Sequence, residues 1–288
     1  MNSVRFAVAG VTFEICSNTV DLKLPEEFNL FDLTTVGDES LPTVSNLIHI
    51  DVVSSAARAP AEKLLWLSND PAWQVGRDDS GHFLFHVPGP SRARWLYIDE
   101  SFSWGTLTGD FSGLPGPVYP FHTFDIITFS NWLANRGELL LHASGFRWND
   151  LGYAFIGPSG VGKSTLVANL LGRAGLTVLA EDQLAVRFLD GKYWIYGTPW
   201  HLNPGMYTNQ GVPLEKAFFL QRLSESALNP IGSQEAFKKL LLMGFIPYYR
   251  KETLESVMNG LQSLTQSIHF FDLAYQLGDD ILNQVLNA

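Results

Sequence analysis

The sequence predicts an α/β protein, with a β-rich domain over residues 1–120 and a phosphate-loop domain over residues 121–288. Three observations carry this. Residues 157–165 read Gly-Pro-Ser-Gly-Val-Gly-Lys-Ser-Thr, a complete G-x-x-x-x-G-K-[ST] pattern. The pattern stands between residues 151–156, an apolar and aromatic run that reads as a buried strand, and residues 166–173, which read as a helix ended by Gly175. A second apolar run, residues 176–180, then delivers the adjacent acids Glu181 and Asp182 at its C-terminal end, where parallel sheets hold their ligands.

Taken in order, residues 5–9 and 11–15 are candidate strands around Gly10. Residues 47–53 mix apolar and polar positions at strand spacing. Residues 64–67, Leu-Leu-Trp-Leu, read as a short apolar run suited to a buried strand. Residues 73–76 and 82–87 flank the turn Asp-Asp-Ser-Gly and read as a hairpin. A Pro-Gly-Pro-Ser loop follows at 88–91, then two more strands at 95–99 and 104–108. Short strands separated by turn residues predict a small antiparallel sheet. Its Asp and His residues are scattered and match no chemical motif, so surface or core placement is expected for each.

The linker is Pro-Gly-Pro-Val-Tyr-Pro at 115–120, rich in helix breakers. Residues 121–136 read as a helix with Phe124, Ile127, Phe129, Trp132 and Leu133 as its apolar positions and Gly137 as its end. Residues 137–144 read as a strand carrying His142. Asn149-Asp150 turns the chain into the strand before the loop, and pairing of these two strands sets His142 near the loop. Beyond the acids, residues 184–189 and 193–196 form a hairpin around Asp190-Gly191. It runs into Gly-Thr-Pro-Trp-His at 197–201, whose Trp200 and His201 suit substrate contact. Residues 217–220 read as a strand, 235–243 and 253–264 as helices, 270–273 as a last strand and 279–286 as a closing helix.

Composition sets limits. Hydrophobic residues make up 46% of the 288, enough for a sizeable core. A net charge of −10 argues against a general nucleic-acid surface, which needs a Lys/Arg excess, yet leaves room for one phosphate pocket. The single cysteine, Cys16, excludes an internal disulfide and any zinc site of several thiolates. No apolar run reaches the roughly 18 residues of a membrane-spanning helix. The N-terminus alternates like a strand rather than reading as a signal peptide. The cytoplasm is the expected location, with no membrane partner.

The loop carries the chemistry. Gly157, Gly160 and Gly162 let the backbone curl until successive N–H groups face phosphate oxygens. The expected nucleotide contacts are Gly157, Ser159, Gly160, Val161, Gly162, Lys163, Ser164 and Thr165. Lys163 reaches the outer phosphates, and the Ser164 hydroxyl sits where Mg²⁺ takes an oxygen ligand. The following helix N-terminus adds partial positive charge. Glu181 and Asp182 stand where a metal ligand and a general base are useful.

With His142 before the loop and the acids after it, the chain resembles the HPr kinase/phosphorylase family and its relatives, which share a phosphate-loop architecture with ATP-dependent phosphoenolpyruvate carboxykinases. The resemblance rests on Leu-Leu-His-Ala-Ser at 140–144, the loop at 157–165 and Leu-Ala-Glu-Asp at 179–182, and covers residues 137–225. Residues 197–201 and 212–220 look like the related kinases rather than the HPr enzyme itself. The resemblance implies a P-loop kinase domain of HPr kinase/carboxykinase type behind the β-rich domain. It implies that His142 is the active-site histidine and that Glu181 and Asp182 stand for the family's paired aspartates. The first acid is Glu here, so the division of roles between the two stays open. The HPr enzyme's downstream signature is not found and the N-terminal sheet is dissimilar, which argues against HPr as substrate and against the reverse reaction. A homo-oligomer is compatible with the resemblance.

The expected activity is transfer of the γ-phosphoryl group of ATP, or another nucleoside triphosphate, to a hydroxyl: a serine of a peptide or protein, or a small molecule. Lys163 holds phosphates, Ser164 and Asp182 hold Mg²⁺, and Glu181 with His142 beside it takes the hydroxyl proton. Trp200 and His201 line the acceptor side. Two other classes stay open. One is a nucleotide-binding regulator or assembly partner that does not turn over. The other is a carboxykinase-type enzyme, which needs further basic residues and a second set of metal ligands.

Overall fold

The structure, a computed structural model, describes residues 2–33, 46–55, 64–69, 73–88, 93–201, 203, 205–221, 225–276 and 281–288. Most of the expected loop at 88–91 and the start of the expected closing helix lie outside the described residues. The chain divides into two compact units, Met1–Trp132 and Leu133–Ala288. Among the described residues no helix is long and apolar enough to cross a membrane.

The first unit is built on β1 (Asn2–Val8), β2 (Val11–Ser17), β3 (Leu47–Ser54), β4 (Leu65–Asn69), β5 (Gln74–Arg77), β6 (Phe83–Val87), β7 (Arg94–Ile98) and β8 (Trp104–Gly109). They form one eight-stranded sheet in the order β1-β2-β3-β8-β7-β6-β5-β4. β1 and β2 join through Ala9 (φ 52°) and Gly10 (φ 76°), the paired left-handed residues of a two-residue hairpin. The sheet is larger than expected and mixed, because β3 runs parallel to both β2 and β8. Turn signals specify which sequence neighbours pair; they say nothing about a strand inserted after a long connection. Phe6 and Phe13, both fully buried, stack at 4.5 Å, and Phe28 meets Phe6 edge-on at 4.8 Å. Such packing adds about 0.5–1.5 kcal/mol per pair beyond area burial.

The division between units falls inside α1 (Phe124–Ala134). The second unit continues with β9 (Leu139–Trp148), β10 (Leu151–Ile156), α2 (Lys163–Ala168), β11 (Leu176–Ala180), β12 (Gln183–Leu189), β13 (Lys192–Tyr196) and β14 (Gly211–Gln221). It ends with β15 (Ala227–Ile231), α3 (Ser233–Met243), α4 (Lys251–Ser267), β16 (His269–Ala274) and α5 (Ile281–Leu286). The strand order is β10-β9-β12-β13-β14-β16-β15, and a further β10–β14 pairing closes β10, β9, β12, β13 and β14 into a ring. β11 pairs with the distal half of β9. β15 was not foreseen; it contains Pro230, which suits its place at the sheet edge.

The apolar run of β10 is explained by two cores. Tyr153 and Phe155 pack with Leu166 and Val167 of α2 and Ile281 and Val285 of α5. Ala154 and Ile156 alternate to the other side, among Ala236 and Leu240 of α3 and Val257 and Leu261 of α4. Period-two alternation between two apolar surroundings leaves no polar face to read.

The expected α/β class, a P-loop kinase domain of HPr kinase/carboxykinase type, does not hold. The structure is mostly β, 42% strand against 22% helix, with two large sheets and a five-strand barrel. The physical reason lies in the connections. Asn149 (φ 53°) and Asp190 (φ 51°) with Gly191 (φ 76°) close antiparallel hairpins β9–β10 and β12–β13. In the second unit the parallel pairs among the described residues are β10–β14 and β14–β16. An apolar run buried on both faces reads alike in a parallel and an antiparallel sheet, so hydropathy misassigned the class. The helix after the loop is also shorter than expected: α2 has six residues and then decays into turns up to Arg173.

One close approach fixes α4. Gly260, in the middle of the helix, faces Gly137, and a Cβ on Gly260 would stand 1.9 Å from the Gly137 carbonyl oxygen. Gly260→Ala is expected to lower stability by about 1–3 kcal/mol through forced displacement of the helix. Urea denaturation checks this, and an unchanged midpoint would contradict the contact.

Candidate functional site

β10 ends at Ile156 and hands the chain to the glycine-rich loop. Gly160 (φ 78°) and Gly162 (φ 112°) take left-handed conformations that a side chain resists. Gly162 is doubly constrained: a Cβ there would lie 2.2 Å from the Tyr275 hydroxyl, which donates to the Gly162 carbonyl at 3.0 Å. Tyr275 follows β16, so the end of a distant strand braces the loop. Sequence reasoning missed it, because nothing local to Tyr275 marks it.

Pro158, Ser159 and Gly160 are exposed at the tip, whereas Lys163 is only 5% exposed. Its ammonium donates to the Gly157 carbonyl at 2.7 Å and the Pro158 carbonyl at 3.2 Å. Burial pulls the Lys163 pKa below its usual range, and the nearby Asp182 carboxylate partly opposes that shift. Ser164 is partly buried and Thr165 exposed. A cavity of about 160 Å³ beside the loop is lined by Ile156, Gly157, Pro158, Phe219, Leu220 and Gln221, among others. Sites for whole small molecules run to about 300–1,000 Å³, so a mononucleotide would lie mostly on the open side of the loop.

The register of β9 places the histidine. His142 pairs with Gln183 of β12, and the Ala143 amide donates to the Asp182 carbonyl at 3.0 Å. His142 Nδ1 thereby comes to 3.3 Å from Asp182 Oδ1. Burial first, then the Lys163 charge, pushes the His142 pKa down, and Asp182 pulls it part of the way back. His142 is therefore held neutral near pH 7. Its Nε2 is buried and meets no hydrogen-bond partner among the described residues.

The two acids part company. Glu181 is fully buried and accepts hydrogen bonds from the Asn203 backbone amide and, at 2.6 Å, from the Asn203 side-chain amide. Asp182, one residue on, faces His142 and Lys163. The sequence expectation put Glu181 beside His142; the structure puts Asp182 there. Successive side chains at a strand end point opposite ways, which sends adjacent acids to different partners.

Trp200 and His201 lie in the segment between β13 and β14. That segment is tied down by the Thr198 hydroxyl on the Gln183 carbonyl at 2.7 Å and by the Thr208 amide on the Leu179 carbonyl at 3.0 Å. Trp200 is 6% exposed, a packed residue, and His201 stacks on Tyr207 at 3.8 Å. The segment reaches the acids through Asn203 on Glu181. Asn203 was invisible in the sequence, where it reads as an ordinary turn residue.

The comparisons are sparse. No family model matches the chain, and no curated protein does. Among solved structures, the Hpr(Ser) kinase/phosphatase from Coxiella burnetii aligns with 51% of this chain and 88% of its own, at 11% identity and a TM-score of 0.33. A likeness at that score carries no argument about fold or activity.

The neutral state of His142 has a measurable consequence. Unfolded histidine takes up a proton near pH 6.5, whereas folded His142 resists it. This contribution to stability is complete above the ordinary histidine pKa and is lost as pH falls through the lowered value. The stability gap between wild type and His142→Gln is therefore expected to shrink on going from about pH 7.5 to about pH 5, followed by urea unfolding. A gap that widens toward acid would mean a protonated His142.

Proposed function

We propose that this protein binds a nucleoside triphosphate with the loop at 157–165 and transfers its terminal phosphoryl group to a hydroxyl. The observation that carries the reading is the juxtaposition of Lys163, Asp182 and His142: a buried ammonium whose charge is met by two loop carbonyls and one carboxylate, with a neutral imidazole 3.3 Å from that carboxylate. The residues fit a nucleotide phosphate, because an anion can enter over the exposed tip and replace the two carbonyls as partner of Lys163. Ser164 and Asp182 would hold Mg²⁺, which supplies charge neutralisation at the phosphates. The Asp182–His142 pair accepts the hydroxyl proton as a unit, with His142 Nδ1–H donating to the carboxylate and fixing its direction. Phosphoryl transfer asks mainly for positioning and charge compensation, and this group offers both. Glu181 acts in this reading as a positioning residue that anchors the 197–210 segment through Asn203. ATP is the expected donor, and a serine of a peptide, protein or small molecule the expected acceptor.

A nucleotide-binding switch without turnover is the second reading. The burial of Glu181 favours it, since Asp182 is then the one of the two acids that faces Lys163.

Lys163→Ala is expected to weaken binding of a fluorescent ATP analogue with Mg²⁺ at least about tenfold, by loss of a charge-assisted contact worth about 1.5–3 kcal/mol. Asp182→Asn is expected to keep most of that binding and to lower transfer from γ-labelled ATP to serine peptides by about 10²-fold or more. Glu181→Gln is expected to lower the melting temperature more than the transfer rate. Unchanged nucleotide binding in Lys163→Ala would refute the site. Binding without transfer to any acceptor would select the switch.

A further inference from the structure

The first unit carries a cluster that the phosphoryl-transfer reading does not use. On β2, Glu14 and Cys16 are two residues apart and share a face of the sheet. β3 lies alongside in parallel register, with His49 opposite Glu14 and Asp51 opposite Cys16. Four ligand-type side chains thus form a two-by-two block. A thiol sulfur, a ring nitrogen and a carboxylate oxygen from Cys16, His49 and Glu14 lie within 4.8 Å of one another. Cys16 is 5% exposed and the His49 side chain 11%, whereas the Asp51 side chain, at 47%, forms the open edge of the block. His49 also packs on Trp104 at 4.3 Å.

We infer that this block is a metal site for Zn²⁺ or a similar borderline divalent cation, coordinated by Cys16 Sγ, His49 Nδ1 and Glu14 Oε2 with a fourth position for water. The mixed sulfur, nitrogen and oxygen donor set suits Zn²⁺ and not Mg²⁺ or Ca²⁺, which take oxygen shells. Tetrahedral bonds of about 2.0–2.3 Å set donors roughly 3.3–3.8 Å apart, so side-chain rotations need to close the cluster by about 1 Å. One edge has to open instead, by about 0.5 Å to reach the roughly 3.3 Å minimum, since His49 Nδ1 and Glu14 Oε2 share a hydrogen bond at 2.8 Å that the metal replaces. The other ring nitrogen faces Asp51 at 3.4 Å. An Asp51 carboxylate on Nε2–H fixes the tautomer that frees Nδ1 for the metal, the usual support of a metal-bound imidazole. Arg5 holds the remaining Glu14 oxygen through two donors at 2.6 and 2.8 Å. Charge also balances: the metal and Arg5 supply three positive charges, and Cys16 thiolate, Glu14 and Asp51 three negative ones. Binding displaces the thiol proton into solvent, so affinity falls with acidity. An ion-pair network of Arg5, Glu14, His49 and Asp51 would need no sulfur beside it.

The chain's single cysteine makes the test specific, because any thiolate signal reports Cys16. The metal-free 288-residue chain is titrated with CoCl₂ in the absence of nucleotide, and the thiolate-to-cobalt charge-transfer absorption is followed. The expected result is a band that saturates at one equivalent, is displaced by Zn²⁺ and disappears in Cys16→Ser. His49→Gln is expected to weaken binding tenfold or more, and Asp51→Asn about 10–100-fold. No band at saturating cobalt would overturn the assignment, as would a band of unchanged affinity in both His49→Gln and Glu14→Gln. The wild-type titration decides whether the thiolate binds at all, so a variant that fails to fold leaves the test intact.

Discussion

The double pairing of β9 is the constraint on which the second unit depends. This ten-residue strand bonds β10 along one edge, and on the other edge β12 over its first half and β11 over its second. Three placements in the candidate site follow from that one register. β10 delivers the loop at Gly157, β12 begins beside His142, and the Asp182 carbonyl bonds the Ala143 amide. A one-residue slip of β9 would turn His142 into the core and a Leu toward Asp182, because side chains alternate. Strands buried on both sides cannot absorb such a slip, which makes the register a rigid frame for the charged groups.

Electrostatics within this frame are arranged around a buried cation. Removing Lys163 from water costs several kcal/mol unless partners compensate, and here two carbonyls and the Asp182 carboxylate offset part of that cost. The same cation keeps His142 neutral by adding to the effect of burial. The lysine thus reinforces what burial does to the histidine, and both have the Asp182 carboxylate as a neighbour. Glu181 is excluded from this exchange by two hydrogen bonds to Asn203. Its burial ties Asn203 to the end of β11.

The first unit follows a different logic. Its core is aromatic and apolar, while the block of Glu14, Cys16, His49 and Asp51 concentrates donors where two parallel strands run side by side. Parallel neighbours with residues in phase bring like positions of each strand together, so a pattern two residues apart on each strand becomes a cluster in space. In the sequence the two pairs stand more than thirty positions apart and looked scattered.

What the sequence determined by itself is local. The loop at 157–165 has the glycine pattern its left-handed turns require, and the hairpins at Gly10, Asn149 and Asp190 are written in residues that tolerate positive φ. Strand positions were legible because short apolar runs between such turns have few other uses. The class of the sheet was not, because runs buried on both faces hide whether a neighbour is parallel, and the resemblance to an α/β kinase domain filled that gap wrongly. Tertiary structure alone decided which acid faces Lys163, that Asn203 claims the other and that Tyr275 braces Gly162. Each is a contact between residues far apart in the chain, set by strand register and by the direction a side chain leaves its strand, and neither quantity is carried by residue type or spacing.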